Sequence, residues 1–380
     1  MKIFKLLFSL ALMTLVSTAG AQENQFTTGV DWTALLAQAK KENKMVFVDA
    51  YFVGCHPCKQ MDDEVFPLPE VVKLMNENFI STKIDFMKED LGKTLQVKYA
   101  VTGFPTFLLL NSNGELVARF SGYKEADKFQ NLLKGAITKS KKGEAMKGFS
   151  SSLAIKYPAF YPAMFTERKP INADEVAFYL KDKNILEEGN AIPFLMTGKL
   201  SPELSDFLLK NYAELEALYG KDMVWDRRLQ VINAKLKTAI PERDDAKFDS
   251  FLNEVKPLFS NRDWPYAKLD IAEGYYYRQH KDHKAFFKYA AANYNDDDNK
   301  IRYMAMYLKS PAEDEEGNKL FANWMQLVVS ENSGTDVLST AVRIMKGQNE
   351  LEKARKYATW GIKKAKLNNK STKYYESFLN

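Results

Sequence analysis

Met45-Val46-Phe47-Val48-Asp49-Ala50-Tyr51-Phe52-Val53-Gly54-Cys55-His56-Pro57-Cys58-Lys59 is the stretch on which the fold turns. Its first part, Met45 to Phe52, is almost continuously apolar, which suits a central strand covered on both faces rather than an alternating edge strand. One acid, Asp49, interrupts it. Val53-Gly54 then turns the chain, and Pro57 falls in the first turn of a helix, where a missing N–H costs little. Cys55 is thereby placed at a helix N-terminus. Unpaired N–H groups and the helix dipole stabilise a thiolate there, and a protonated His56 adds to the effect, so Cys55 reads as a nucleophile of depressed pKa. Cys58, one turn further in, reads as the more buried, resolving thiol.

These two cysteines are the only ones in 380 residues. Two residues apart, they close a loop too small to staple distant parts of a chain, so reactivity is the better reason for them. The compartment sharpens the point. Lys2 and Lys5, the apolar run Leu6 to Val16 and the small-residue triplet Ala19-Gly20-Ala21 have the three parts of a secretory signal, residues 1–21, with cleavage before Gln22. The run is shorter than a membrane span, an uncleaved anchor being the alternative. A periplasmic location is expected on that reading, in an oxidising compartment where large secreted proteins carry scattered structural disulfides, of which this chain has none.

Asp49 has two readings. It is either a buried acid of raised pKa beneath the cysteine pair, able to take the Cys58 proton, or a strand-end acid satisfied by backbone N–H groups. Working outward, Asp31-Trp32-Thr33 caps an amphipathic helix ending near Asn43. Phe79 to Asp85 reads as a second strand, Leu91 to Tyr99 as a helix and Gly103 to Leu110 as a third strand. A turn over Asn111 to Gly114 leads to a hairpin strand, Leu116 to Phe120. Pro105 at the third strand's start is either cis, leaving the Phe104 backbone free to bond an extended substrate, or an ordinary trans edge proline.

Asp49, Cys55-His56-Pro57-Cys58-Lys59, Gly103-Phe104-Pro105-Thr106 and Gly122, in that order, resemble the landmarks of a thioredoxin-fold domain. The run Glu64 to Val71, with Asn78-Phe79 and Lys83-Ile84-Asp85, is similar to the secreted branch that includes the periplasmic reducing domain of transmembrane thiol transporters. The resemblance implies an α/β thioredoxin fold, a central mixed sheet flanked by helices, over residues 22–140. It implies Cys55, Cys58 and Asp49 as catalytic residues, Phe104 and Pro105 as substrate-binding residues, and His56 and Pro57 as the dipeptide that tunes the potential. Gly54 departs from the Trp usual before the first cysteine, and His-Pro from the usual Gly-Pro. Redox direction stays open on that account, since such motifs span ~150 mV in potential.

A linker rich in Lys, Gly and Ser is expected over 141–152, and beyond it, 153–380, the grammar is all-α. Ser201 to Leu218, Trp225 to Lys237, Asp245 to Phe259 and Leu351 to Lys366 read as amphipathic helices in a helical-repeat or bundle domain. From about residue 260 the patterns around Tyr275-Tyr276-Tyr277, Ala285, Tyr289 and Ala292, and around Ala354, Ala358 and Trp360, resemble tetratricopeptide-like repeats. Tyr157 to Tyr161 and Tyr275 to Tyr277 read as core before groove, and the acidic runs Asp296 to Asp298 and Glu313 to Glu316 as solvated loops rather than calcium sites. Zinc would need His280 and His283 beside the cysteines, from a distant polar turn, so no metal is expected. A net charge of +5, two units of it in the leader, gives no support to nucleic-acid binding.

The sequence therefore predicts a periplasmic thiol-disulfide oxidoreductase acting on protein disulfides without a dissociable cofactor. The reductant direction is favoured, with a membrane thiol donor or acceptor as partner. A disulfide oxidase or isomerase is the alternative enzyme, and a helical scaffold or chaperone with a redox-sensing module the non-catalytic one. Residues 22–140 are expected to fold alone.

Overall fold

The computed structural model describes residues 26–379; the expected signal peptide, 1–21, lies outside the described residues. The strands are Phe26–Thr27 (β1), Met45–Tyr51 (β2), Phe79–Asp85 (β3), Thr106–Leu110 (β4) and Leu116–Ser121 (β5). They form one mixed sheet in the order β1-β3-β2-β4-β5, with β2 parallel to β3 and antiparallel to β4. β2 is thus the central strand, as its apolar run requires.

Alternate residues of β2 feed two cores. Met45 and Phe47, with Phe107 and Leu109 of β4, face Met61, Val71, Phe129 and Leu133. These four come from the helices His56–Glu64, Pro69–Asn78 and Ala126–Lys141. Val46, Val48 and Ala50 face the other way, toward Leu35 of helix Trp32–Glu42 and Leu95 of helix Asp90–Lys98. We label these five helices α1 (Trp32–Glu42), α2 (His56–Glu64), α3 (Pro69–Asn78), α4 (Asp90–Lys98) and α5 (Ala126–Lys141). A strand with helices on both sides has no polar face, so it carries no period-two signal.

α1 starts where its cap predicts: Asp31 Oδ1 accepts the Ala34 N–H at 2.8 Å, and Asn43 ends the helix at φ 50°. Up to Ser121 the other expected strand and helix ends differ from the observed ones by a residue or so, with one larger difference. β4 begins at Thr106 rather than Gly103, because Pro105 has no N–H to give the ladder. α3, α5 and the two-residue β1 were not anticipated.

Beyond α5 every element among the described residues is helical. Pro202–Tyr219 and Leu351–Leu367 match expected helices to within a residue, Lys221–Ala239 begins four residues before the expected Trp225, and Asp245–Val255 stops short of Phe259 and passes into a 3-10 turn at Lys256–Leu258 around Pro257. His283–Ala292 packs on Glu315–Val328, and Thr335–Gly347 on Leu351–Leu367. Tyr275 and Tyr276 are core residues, Tyr275 stacking on Phe248 at 4.2 Å. In the acidic run at 313–316, Glu313, Glu315 and Glu316 are exposed as expected, while Asp314 caps Glu315–Val328 and pairs with His283; in the run at 296–298, Asp298 is buried rather than solvated. No helix among the described residues is long and apolar enough to cross a membrane.

Residues 141–152 join the two halves and are bonded to both. The Met146 N–H reaches Leu116 O of β5 at 2.7 Å, and the Gly148 N–H reaches Leu218 O at 2.9 Å. Phe149 is buried between Tyr99 and Tyr219, its ring centroid 5.4 Å from each. Gly148 is required there, because a Cβ would stand 2.4 Å from the Tyr219 ring. The core on the α1 and α4 face of the sheet continues without a break into Tyr161, Ile192, Leu208 and Tyr219. Residues 22–140 thus bring only part of the core that covers this face, which bears against their folding alone.

Candidate active site

β2 delivers the chain to the cysteine pair. Gly54 takes φ +97°, a left-handed conformation that suits glycine, and the Cys55 N–H returns to Phe52 O at 3.1 Å. Cys55 is then the N-cap of α2, with Pro57 in the first turn. Its Sγ accepts the Cys58 N–H at 3.2 Å, the contact by which a helix start stabilises a thiolate. Cys55 and Cys58 are joined as a disulfide with Cα atoms 5.3 Å apart. Both are buried, at 6% and 4% exposure, so in this oxidised form Cys58 is hardly the more enclosed of the two. His56 is exposed and Pro57 half-buried at the rim.

Asp49 is 1% exposed in the central strand. Its Oδ2 lies 3.3 Å from Lys83 Nζ, and its Oδ1 is buried with no hydrogen-bond partner. Burial pushes the carboxyl up to about 7, against the pull of Lys83. Lys83 also binds Asp62 of α2 and lies over the Tyr51 ring at 5.3 Å. Burial opposes its charge, but Asp49 and Asp62 more than offset that and raise its pKa. An ionic chain thus runs from Asp49 through Lys83 into the helix that starts at the cysteines. Sequence reasoning assigned no role to Lys83 or Asp62. The signal was present: Lys83 interrupts its strand at the same position as Asp49 interrupts β2, and the register pairs the two.

The Phe104–Pro105 bond is cis. The Phe104 ring packs on Phe52 at 5.3 Å and Phe86 at 6.1 Å, which fixes the loop against the end of β2. Among the described residues neither the N–H nor the C=O of Phe104 has a hydrogen-bond partner, as an extended substrate would need. Pro105 O accepts the Gly122 N–H at 2.8 Å, and Thr106 Oγ1 donates to Gly103 O at 2.7 Å. β4 pairs with β2 through Ala50 and Thr106, so the proline loop and the strand leading to Cys55 leave the sheet at the same end.

Comparison with known proteins finds the same domain. A family model described as a thioredoxin-like domain matches residues 33–137. Thioredoxin-1 of Drosophila yakuba is 34% identical over 94 residues, which is 24% of this chain and 78% of that protein. Spermatogenesis-associated protein 20 of Rattus norvegicus is 40% identical over 60 residues, 15% of this chain but 8% of that protein, so the chain spans under a tenth of that relative's length. A solved structure of a putative disulphide-isomerase from Bacteroides thetaiotaomicron shares 35% identity, covering 33% of this chain and 96% of its own, with a TM-score of 0.28.

Proposed function

Because the chain belongs to the thioredoxin-like proteins through residues 33–137, we propose that it is a thiol-disulfide oxidoreductase acting on protein disulfides, working as a reductant in the periplasm. The observation that carries this reading is the Cys55–Cys58 disulfide at the start of α2, the helix to which Asp49, with its buried and unpartnered Oδ1, is tied through Lys83 and Asp62.

In the reduced chain Cys55 attacks one sulfur of a client disulfide; that bond breaks, and one client sulfur leaves as a thiolate. A mixed disulfide joins the other client sulfur to Cys55. Asp49 takes the Cys58 proton through its unpartnered Oδ1, directly or through water, and the Cys58 thiolate attacks Cys55 Sγ. The second client thiolate leaves, two electrons have passed to the client, and the chain ends as the disulfide seen here. Phe104 and Pro105 hold the client strand, and His56 and Pro57 set the potential. A dithiol donor must then restore the cysteines, and a membrane thiol donor is proposed for that role, in keeping with the secretory signal read in residues 1–21.

The reaction needs no dissociable cofactor, since both electrons travel in sulfur bonds. The test is the reduction potential of the Cys55–Cys58 couple in a glutathione or dithiothreitol redox buffer, with an insulin-reduction assay beside it. A potential near the reducing end of the CxxC range, about −270 mV, with turnover of insulin, supports the reductant. A value near about −120 mV with dithiol oxidation turns the assignment to an oxidase.

A further inference from the structure

The helical half does not stand clear of the cysteines. A cleft of about 740 Å³ opens between the two halves, and Pro57, one of the two residues between the cysteines of the motif, lines it together with Gln60 of α2. Its floor is the turn after β5, where the Gly122 N–H is bonded to Pro105 O. The far wall is helical: Arg302 and Tyr303 from Asp298–Ala305, Asp336 and Val337 from Thr335–Gly347. A client disulfide reaching Cys55 therefore has the helical half beside it.

The charges in that cleft are unequal. Lys124, Lys128 and Arg302 line it from both halves. Lys124 Nζ is bonded to backbone oxygens at Ser121 and Gly122, and the nearest carboxylate to Lys128 is Asp298, at 3.9 Å. Among the described residues Arg302 has no carboxylate partner. Of the two acids, Glu125 is already committed. It is buried, accepts the Thr335 N–H at 2.7 Å, and lies 4.0 Å from Lys364 and 3.7 Å from Lys370. Asp336 is left as the exposed acid, against Lys124 and Arg302, which have no carboxylate partner among the described residues, and Lys128, whose pairing with Asp298 is long at 3.9 Å.

Resting on the oxidoreductase reading, we infer that this cleft between α2 and the helical half is where clients dock, and that it selects an extended client segment carrying acidic side chains beside its disulfide. The cations meet the acids, Tyr123 and Tyr303 offer rings to apolar side chains between them, and the segment's disulfide lies next to Pro57. Selection of this kind acts mainly through encounter and KM, and salt weakens it.

The test uses the full chain, reduced, in single turnover against two short peptides that differ only in whether glutamates or lysines flank one disulfide. The glutamate peptide is expected to react with a kcat/KM about tenfold higher at low salt, the preference shrinking as ionic strength rises. In Lys128→Glu/Arg302→Glu the preference reverses. Because the readout is a ratio between peptides in the same preparation, a partly folded variant does not imitate it. Equal rates in the wild-type chain, an unchanged preference in the variant, or dimerisation that the variant abolishes, with the cleft filled by a second copy, each overturns the inference. Should the reduced chain reduce no disulfide at all, the oxidoreductase reading falls by itself. Fluorescence anisotropy of labelled peptides with serine in place of cysteine then decides the cleft, tighter binding of the glutamate peptide supporting it and equal binding overturning it.

Discussion

Asp49 and Lys83 hold the fifth position of two neighbouring parallel strands and meet there, Oδ2 to Nζ, at 3.3 Å. The pair does not neutralise the cost of burying the carboxylate, because the acid's pKa stays up near 7. Water solvates an isolated carboxylate better than one ammonium group can in a closed site.

A stability signature follows from that raised value. The unfolded chain releases the Asp49 proton near the ordinary carboxylate pKa of about 3.9, the folded chain near 7. Between those values the folded state binds more protons than the unfolded state, so stability falls as pH rises through this window and levels off above it. One such group contributes a slope of at most about 1.4 kcal/mol per pH unit. Asp49→Asn should flatten the Tm profile of the oxidised chain between about pH 4 and 7, measured by circular dichroism. Parallel profiles for the two chains would mean that Asp49 is ionised throughout that range.

The same carboxylate should matter to one redox step and not the other. Asp49→Asn is expected to slow the Cys58 attack by about a hundredfold near neutral pH, the usual scale of a general base, while formation of the mixed disulfide is little changed. Stopped-flow reaction of the reduced chain with a labelled disulfide protein separates the two phases. Equal slowing of both phases would assign Asp49 to packing rather than proton transfer.

The cysteines themselves have unequal fates. Cys58→Ser should accumulate mixed disulfides with protein substrates, since attack proceeds and release does not, and Cys55→Ser should form none. Non-reducing gels with mass spectrometry of the trapped species read this directly. Trapping by Cys55→Ser instead would exchange the two roles.

Much of the first half could be read because its signals are local. The apolar run of β2, the Asp31 cap and the order of Asp49, Cys55, Cys58 and Pro105 each lie within a few residues of chain. The ionic chain from Asp49 to Asp62 could have been found only by pairing β2 with β3 in register. What the sequence hid is the junction. Tyr99, Phe149, Tyr161 and Tyr219 each look like one apolar residue on its own segment, and only folding brings them into one core. Residues 141–152 read as a tether because their bonds go to partners far along the chain, Leu116 and Leu218. The cleft beside Pro57 is hidden for the same reason, since its walls come from residues more than 200 positions apart.

The junction has a buried ionic hub at Lys98 and Glu188, beside a second one at Glu125 and Lys364, and the first bears on whether the halves unfold together. Lys98 of α4 is 1% exposed and donates to Glu188 Oε1 at 2.7 Å, while Glu188 Oε2 accepts the Ser150 N–H at 2.8 Å. Burial lowers the pKa of Lys98 in spite of its partner, so the amine depends on Glu188 to stay charged inside. Removing one partner of such a pair leaves the other uncompensated, at a cost of about 3–5 kcal/mol, whereas replacing both with apolar side chains is far milder. Glu188→Leu should therefore lower the Tm strongly, and Lys98→Met/Glu188→Leu should recover part of the loss, though not all, because Ser150 N–H still lacks its acceptor. Since the core runs through both halves, the wild-type chain should unfold in one transition seen alike by far-ultraviolet and near-ultraviolet circular dichroism, and residues 26–141 alone should be markedly less stable and expose apolar surface around Tyr99. Two separate transitions, or a cooperative and soluble 26–141 fragment, would show that the sheet closes its own core and that the Lys98–Glu188 contact merely lies between two independent units.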